Sequence, residues 1–105
     1  MKRILGIGGG GKICRETIID LVVTTTANEF SKITVASRNE EAGGELVKFL
    51  DVPRVDFKRV DVNKTDELIK LMKQYDLVMS GTSLGLNPTV MSCAARAKIP
   101  GISLS

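Results

Sequence analysis

Residues Arg3–Arg15 have the sequence RILGIGGGGKICR, in which an apolar stretch leads into four consecutive glycines and then into a helix-forming segment. Arg3–Ile7 is predicted to be a buried strand, and Lys12 to about Val23 an amphipathic helix. Half of the 10 glycines of the chain fall between positions 6 and 11. A loop without side chains is therefore expected to join the first strand to the first helix.

Short apolar runs alternate with longer amphipathic ones along the whole chain, which predicts an α/β fold of repeated strand–helix–strand units. Further strands are expected at Lys32–Ser37, Val55–Val62, Leu77–Ser80 and Ile99–Leu104. Further helices are expected to begin at the N-cap residue Asn39, at Thr65 and at Asn87-Pro88. Right-handed crossovers then give a doubly wound parallel sheet of five strands in the order 3-2-1-4-5, with helices on both faces. Its ligand crevice lies at the carboxyl ends of strands one and four.

The sequence also predicts which residues of the second helix face the core and where the third and fourth strands lie in the sheet. The second helix is expected to direct Ala42, Leu46, Phe49 and Leu50 inward. Its two glycines, at positions 43 and 44, each cost the helix about 1 kcal/mol relative to alanine. Alternating apolar and charged residues favour an edge position for the third strand, whereas the short apolar fourth strand is expected to be central.

The length of 105 residues is typical of one domain, so residues 1–105 are predicted to form a single unit. With 43% hydrophobic and 26% charged residues, the composition is that of an ordinary globular protein. The 15 basic and 12 acidic residues leave a net charge of +3, which is too small to favour nucleic acid but suits an anionic small molecule. One Tyr and three Phe offer no platform for stacking bases.

Several kinds of site are excluded by what the chain lacks. Ile18–Val23 is interrupted by Asp20 and is far shorter than the roughly 20 residues of a membrane span. The glycine-rich and basic amino terminus argues against export, and Cys14 and Cys93, without a C-x-x-C pair, predict reduced thiols in the cytoplasm. Because the sequence contains no His, triad hydrolysis and zinc chemistry are excluded, and neither a metal site nor a catalytic residue is predicted.

The glycine loop is the strongest chemical signal. A pyrophosphate can approach the backbone, and accept hydrogen bonds from the amino end of a helix, only where no Cβ intervenes. The spacing G-x-G-x-x-G fits two placements, which are Gly6-Gly8-Gly11 and Gly9-Gly11-Cys14. We favour the second because it lets the first strand run through Ile7, although Cys14 then takes the place of the third glycine.

Two other interpretations of the loop remain open. Gly6–Lys12 matches the first seven positions of a nucleoside triphosphate loop, G-x-x-x-x-G-K. Ile13 then stands where a Ser or Thr must bind Mg²⁺, which argues against that interpretation. The second alternative is a tight strand–helix turn that binds no ligand.

The residues that follow the other strands extend the predicted site. Ser37-Arg38 follow the second strand, where NAD selection requires an Asp or Glu, whereas a 2′-phosphate favours a small hydroxyl and a guanidinium. NADP(H) is therefore predicted, with NAD less favoured, although Glu40 and Glu41 would oppose a phosphate if they turned inward. Asp61-Val62 can face the adenine, and Gly81-Thr82-Ser83 can meet the phosphates and ribose. The predicted cofactor-binding residues are Gly8, Gly9, Gly10, Gly11, Lys12, Ile13, Ser37, Arg38, Asp61, Val62, Gly81, Thr82 and Ser83.

Taken together, ILGIGGGGKICR at 4–15, ITVASRN at 33–39 and VDV at 60–62 resemble the amino-terminal domain of saccharopine dehydrogenase-like proteins. YDLVMS at 75–80, LNPTVM at 86–91 and ISLS at 102–105 are similar to that family's passage from strand four to strand five. The resemblance implies an NAD(P)-binding Rossmann domain. Family members continue into a substrate domain whose catalytic groups act on an amino-acid imine or secondary amine by hydride transfer.

The resemblance carries over cofactor contacts and no catalytic residue, so the chain is expected to bind without turnover, either as a domain cut before the substrate domain or as a separately encoded module. Cys14 in place of a glycine, and about four extra residues around Val23–Phe30, depart from the family pattern. A non-enzymatic redox or ligand sensor is the alternative, and an interaction module without nucleotide is the third interpretation. The exposed edge of strand five further predicts a homodimer.

Overall fold

The computed structural model describes residues 2–8, 12–26, 28–38, 40–81 and 86–103, without the side chains of residues 12–14. Strands and helices alternate through these residues. They are β1 (Lys2–Ile7), α1 (Lys12–Thr24), β2 (Phe30–Ser37), α2 (Glu40–Leu50), β3 (Val55–Arg59), α3 (Thr65–Met72), β4 (Leu77–Ser80), α4 (Asn87–Ala97) and β5 (Gly101–Ser103). None of these helices is long and apolar enough to cross a membrane.

The strands form one parallel sheet in the order β3-β2-β1-β4-β5, which confirms the predicted topology. The last four residues of β1 are buried because helices cover both faces of this central strand. Leu5 and Ile7 join a core cluster with α3 and α4. Ile4 points to the opposite face and joins a cluster with α1 and α2. The edge position of β3 and the inner position of β4 are also confirmed.

Four strands differ in length from the sequence-based expectation, and β1 does so by one residue because it begins at Lys2 rather than Arg3. β2 begins at Phe30 rather than Lys32, and β5 occupies Gly101–Ser103 rather than Ile99–Leu104, of which Leu104 lies outside the described residues. β3 ends at Arg59, so the prediction of a strand through Val62 was wrong. Because β2 ends at Ser37, the partner of Arg59, β3 has no neighbour to pair with beyond that register. The predicted N-cap residue of α2, at position 39, is outside the described residues.

Phe49 does not point inward, contrary to the sequence-based prediction. Its side chain is 66% exposed, and the guanidinium carbon of Arg15 lies 5.8 Å from the centre of its ring. The buried residues of α2 are Gly43 and Leu46. Gly43 packs against the Phe57 ring of β3, so the inward face of the helix is centred there. That rotation leaves Phe49 at the border of the face, where a cation–π contact with Arg15 covers it in part.

A chain of hydrogen bonds runs through the core beneath β2. The Tyr75 hydroxyl donates to Thr34 Oγ1 at 2.7 Å, and the Thr34 hydroxyl donates to Asp56 Oδ1 at 2.6 Å. Asp56 Oδ2 in turn lies 3.5 Å from Lys32 Nζ. The buried polar groups of Thr34 and Tyr75 are therefore satisfied, as burial requires.

The other edge strand, β5, exposes Ile102, and pairing of two chains along it stays a prediction.

Replacing Lys98 with glycine is expected to raise the free energy of unfolding by about 0.5–1 kcal/mol. Lys98 caps α4 with φ 61° and ψ 38°, a left-handed conformation that costs a side-chain-bearing residue energy and that glycine adopts freely. Urea unfolding followed by circular dichroism measures the change.

The matched control is Lys73→Gly at the end of α3. Lys73 has φ −63° and ψ −14°, an ordinary helical conformation, so glycine there gains nothing and adds flexibility to the unfolded chain. Equal effects of the two substitutions would show that backbone strain at Lys98 is not released.

Candidate cofactor site

The carboxyl end of β1 is the centre of the site. Gly8 N–H donates to Ala36 O at 2.8 Å, and Gly81 N–H donates to Ile7 O at 2.9 Å, so β1 stays bonded to both neighbours up to its last residue. Gly8 then has φ 87°, which a residue without Cβ adopts at no cost. The chain therefore turns out of the sheet at Gly8, and α1 begins at Lys12.

Of the two placements of the glycine motif, the one that starts at Gly6 is wrong, because it would put the turn inside the first strand. Gly6 lies inside β1, paired with Val35 of β2 and Met79 of β4, and the strand runs through Ile7 as the favoured placement requires. The predicted contacts Gly9, Gly10 and Gly11 lie outside the described residues. Lys12 and Ile13 form the first turn of α1, and their side chains are not described.

A second group of predicted residues lies where β2 and β3 end. Ser37 and Arg59 are partners across the two strands, and Ser37 O accepts a hydrogen bond from Val60 N–H at 3.0 Å. Arg38 follows directly in a bend, with its side chain exposed. Because the strands are parallel, these residues share the edge of the sheet at which Gly8 turns.

Asp61 closes the turn that joins β3 to α3. Its carboxylate oxygen Oδ1 accepts a hydrogen bond from Asn63 N–H at 3.0 Å, and its backbone oxygen accepts one from Lys64 N–H at 3.0 Å. Val62 is only 5% exposed and packs in the core. Any contact of Val62 with a nucleotide therefore falls to its backbone, whereas Asp61 faces the edge of the sheet.

Arg38 and Asp61 line one cleft of about 350 Å³, together with Arg59, Lys64 and Glu67. The sequence analysis did not identify these last three residues. The signal that could have found Arg59 is its register opposite Ser37. The position of Lys64 in the cleft depends on the turn at Asp61, because this turn brings the start of α3 back over the end of β3.

The three cations of this cleft outnumber its two carboxylates and form no ion pair with them in the described residues. In the described part of the chain, the only ion pair joins Lys32 to Asp56, and no hydrogen bond from the side chains of Arg38, Arg59 or Lys64 is found. Arg54, at the opposite end of β3, in contrast donates five hydrogen bonds within the protein. Three free cations on one cleft suit an anion that carries more than one charge.

Polar side chains also connect the carboxyl ends of β4 and β5. The Ser80 hydroxyl donates to Asn87 Oδ1 at 2.6 Å, and Asn87 Nδ2 donates to Ser103 Oγ at 2.9 Å. Asn87 was predicted only as the start of a helix, and its side chain also joins α4 to both strands. Gly81 follows Ser80 at the edge of the sheet, while Thr82 and Ser83 lie outside the described residues.

Other reactive groups do not add to the site. Cys93 is a free, buried cysteine on α4, and burial raises the pKa of its thiol, an effect that Arg96 opposes and Asp66 reinforces. The thiol therefore stays protonated near neutral pH and is a poor nucleophile. No group of three or more acidic or cysteine side chains that could hold a metal ion occurs among the residues described. The side chain of Cys14 is not described.

The strand order, the left-handed glycine after β1 and the position of the site define an NAD(P)-binding Rossmann domain. A family model described as "Saccharopine dehydrogenase NADP binding domain" matches residues 4–105. The chain belongs to this family, as the resemblance at its motifs predicted.

Solved structures share the fold over the whole chain. Apo saccharopine dehydrogenase (L-Glu forming) from Saccharomyces cerevisiae matches with a TM-score of 0.83 and 24% identity, covering 100% of this chain and 22% of that one. A short-chain dehydrogenase/reductase (wide type) from Veillonella parvula, in complex with NADP, matches with a TM-score of 0.74 and 20% identity, covering 97% of this chain and 46% of the other.

One curated relative is similar in sequence. It is "Shikimate dehydrogenase (NADP(+))" from Prochlorococcus marinus (strain MIT 9515), with 32% identity over 87 residues, or 82% of this chain and 27% of the relative. The chain thus spans about a quarter of the length of the saccharopine and shikimate dehydrogenases that it matches.

Proposed function

We propose that this chain binds NADP(H) in preference to NAD(H), as the cofactor domain of a saccharopine dehydrogenase-like oxidoreductase. The observation that carries the preference is Arg38, an exposed guanidinium without a partner, placed directly after β2 where NAD-binding domains hold a carboxylate. Support comes from the NADP named by the matching family model and from the NADP bound by the Veillonella parvula relative.

Each group of residues is expected to contact a different part of the cofactor, according to its position along the edge of the sheet. The turn at Gly8 and the start of α1 suit the pyrophosphate, because glycine lets the phosphates approach the helix amides. Ser37 and Arg38 suit the 2′-phosphate, and Asp61 with the Val62 backbone suits the adenine. Gly81, Thr82 and Ser83 would meet the ribose and phosphates at the switch point beside β1.

The three cations of the cleft, which form no ion pair in the described residues, fit such an anionic cofactor. When bound, NADP(H) supplies or accepts the hydride, while the residues of this chain bind and orient it. We assign no catalytic residue to this chain. We propose that a further domain of the oxidoreductase binds the substrate, an amino-acid imine or secondary amine. The same domain would supply the groups that act on this substrate.

A titration of the chain with NADPH and with NADH, followed by nicotinamide fluorescence, tests the proposal. We expect NADPH to bind roughly ten- to a hundredfold more tightly, because charge-assisted hydrogen bonds to the phosphate contribute about 1.5–3 kcal/mol. Arg38→Ala should remove most of that preference without weakening NADH binding.

Arg96→Ala, which removes an exposed arginine of α4 outside the cleft, is the control and should bind like the unsubstituted chain. Failure of the chain to bind either dinucleotide at millimolar concentration would refute the cofactor assignment. Tighter binding of NADH would refute the phosphate assignment.

A further inference from the structure

We infer that Arg59 and Lys64 are further specificity-determining residues, which hold the 2′-phosphate of NADP(H) from the side of β3 while Arg38 holds it from the side of β2. The inference rests on the proposed function and names additional residues of the same site. It concerns neither the glycine turn nor the position directly after β2, where the sequence already predicts contacts.

Arg59 is placed for this role by the pairing of the two strands. It is the partner of Ser37, and side chains of partners in neighbouring strands stand on the same face of a sheet. Arg59 therefore lies beside Ser37, and it lines one cleft with Arg38. β3 ends at this residue, so its exposed side chain lies at the open edge of the sheet.

Lys64 reaches the same cleft from a different element. Asp61 O accepts a hydrogen bond from Lys64 N–H at 3.0 Å, which folds the chain back after β3. Lys64 is thereby held at the N-cap position of α3, where its side chain makes no capping hydrogen bond. The residue is exposed and lines the cleft with Arg38 and Arg59.

The charges of the cleft favour a phosphate over a ribose hydroxyl. Three cations and the carboxylates of Asp61 and Glu67 line it, which leaves an excess of one positive charge. None of the three cations forms an ion pair with a carboxylate in the described residues. A phosphate monoester carries about −1.5 to −2 charges near neutral pH and can accept hydrogen bonds from several cations at once. NADH offers only an uncharged hydroxyl to the same groups.

The test measures dissociation constants of NADPH and NADH for Arg59→Ala and Lys64→Ala. We expect each substitution to weaken NADPH binding about tenfold and to change NADH binding less than about twofold. These losses should not add to one another or to that of Arg38→Ala, because the three cations share one phosphate. Adenosine 2′,5′-bisphosphate, which carries the phosphate without the nicotinamide, should lose a similar factor as a competitor. Because both side chains are exposed, the variants should fold, and thermal unfolding checks this.

Lys58→Ala is the matched control. Lys58 precedes Arg59 in β3 and carries the same charge, but it does not line this cleft. Lys58 lines the adjoining pocket, and consecutive side chains of a strand point to opposite faces, so it should not contact the phosphate and its removal should change NADPH binding less than about twofold.

Four results would overturn the inference. If Lys58→Ala weakens NADPH binding as much as Arg59→Ala, general positive charge and not contact explains the effect. If Arg59→Ala and Lys64→Ala weaken NADPH and NADH equally, these residues do not contact the 2′-phosphate. If the two variants bind NADPH normally while Arg38→Ala does not, the proposed function stands without this inference. If the unsubstituted chain binds neither dinucleotide, both fall together.

Discussion

Replacing Arg54 with alanine is expected to lower the free energy of unfolding by about 3 kcal/mol, because its guanidinium donates five hydrogen bonds between the end of α1 and the start of β2. Arg54 lies one residue before β3. Its Nη1 atom donates to Thr25 Oγ1, Thr26 O and Phe30 O, and its Nη2 atom to Val22 O and Thr25 O.

These acceptors explain the size of the expected effect. The last carbonyls of a helix have no partner within it, and Arg54 satisfies Val22 O of α1, and Thr25 O just beyond the helix, with a charge of the favourable sign. The same guanidinium connects the segment between α1 and β2 to the start of β3. Loss of the side chain therefore frees the end of α1 and the start of β2 together.

Chemical denaturation monitored by circular dichroism measures this change. Arg59→Ala is the control for loss of an arginine near β3, and its stability should stay within about 0.5 kcal/mol because the side chain is exposed and unpaired. Arg54→Lys keeps the charge but not the planar fork, so it should recover less than half of the loss. Equal stabilities of Arg54→Ala and Arg59→Ala would contradict this account.

Replacing Gly43 with alanine is expected to cost about 2 kcal/mol of stability. A Cβ at position 43 would overlap the ring of Phe57, which packs between α2 and β3. Either the ring or the helix must move, and such overpacking costs typically 1–3 kcal/mol. The glycine that weakens α2 by its low helix propensity is thus required for the packing of that helix on the sheet.

Gly44→Ala is the matched control in the next position. A Cβ there meets no atom within 4 Å, so only the better helix propensity of alanine counts, and stability should rise by up to about 1 kcal/mol. The two variants are expected to differ by about 3 kcal/mol in urea unfolding. A similar gain from both substitutions would mean that α2 does not press on Phe57 as the structure describes.

The periodicity of apolar residues and the positions of polar residues and proline were sufficient to predict the strands and helices of this protein. The right-handed crossover rule limits the topology but also permits other doubly wound orders, so the order 3-2-1-4-5 is confirmed only by the structure. The limits of β3 could not be predicted, since the last pairing residue depends on where β2 ends. The exposure of Phe49 depends on the rotation of α2, which Gly43 and Phe57 determine together.

The cofactor site was predictable only in its local part. Gly8, Ser37 and Arg38 follow their strands directly, so their place at the edge of the sheet follows from the topology alone. Arg59 and Lys64 join them through strand register and through the turn closed by Asp61. Neither of these relations is visible as a spacing in the sequence. The role of Asn87 between Ser80 and Ser103 is hidden for the same reason.

The central claim is that a dinucleotide binds across the carboxyl ends of β1, β2 and β3. A titration of the ¹⁵N-labelled chain with NADP⁺, followed by two-dimensional amide NMR, tests it most directly. We expect the amide signals of Gly8, Arg38 and Lys64 to shift, while those of Arg54 and Asp76 at the opposite edge of the sheet stay in place. Unchanged signals at Gly8, Arg38 and Lys64 with NADP⁺ at millimolar concentration, or shifts confined to the opposite edge, would contradict the claim.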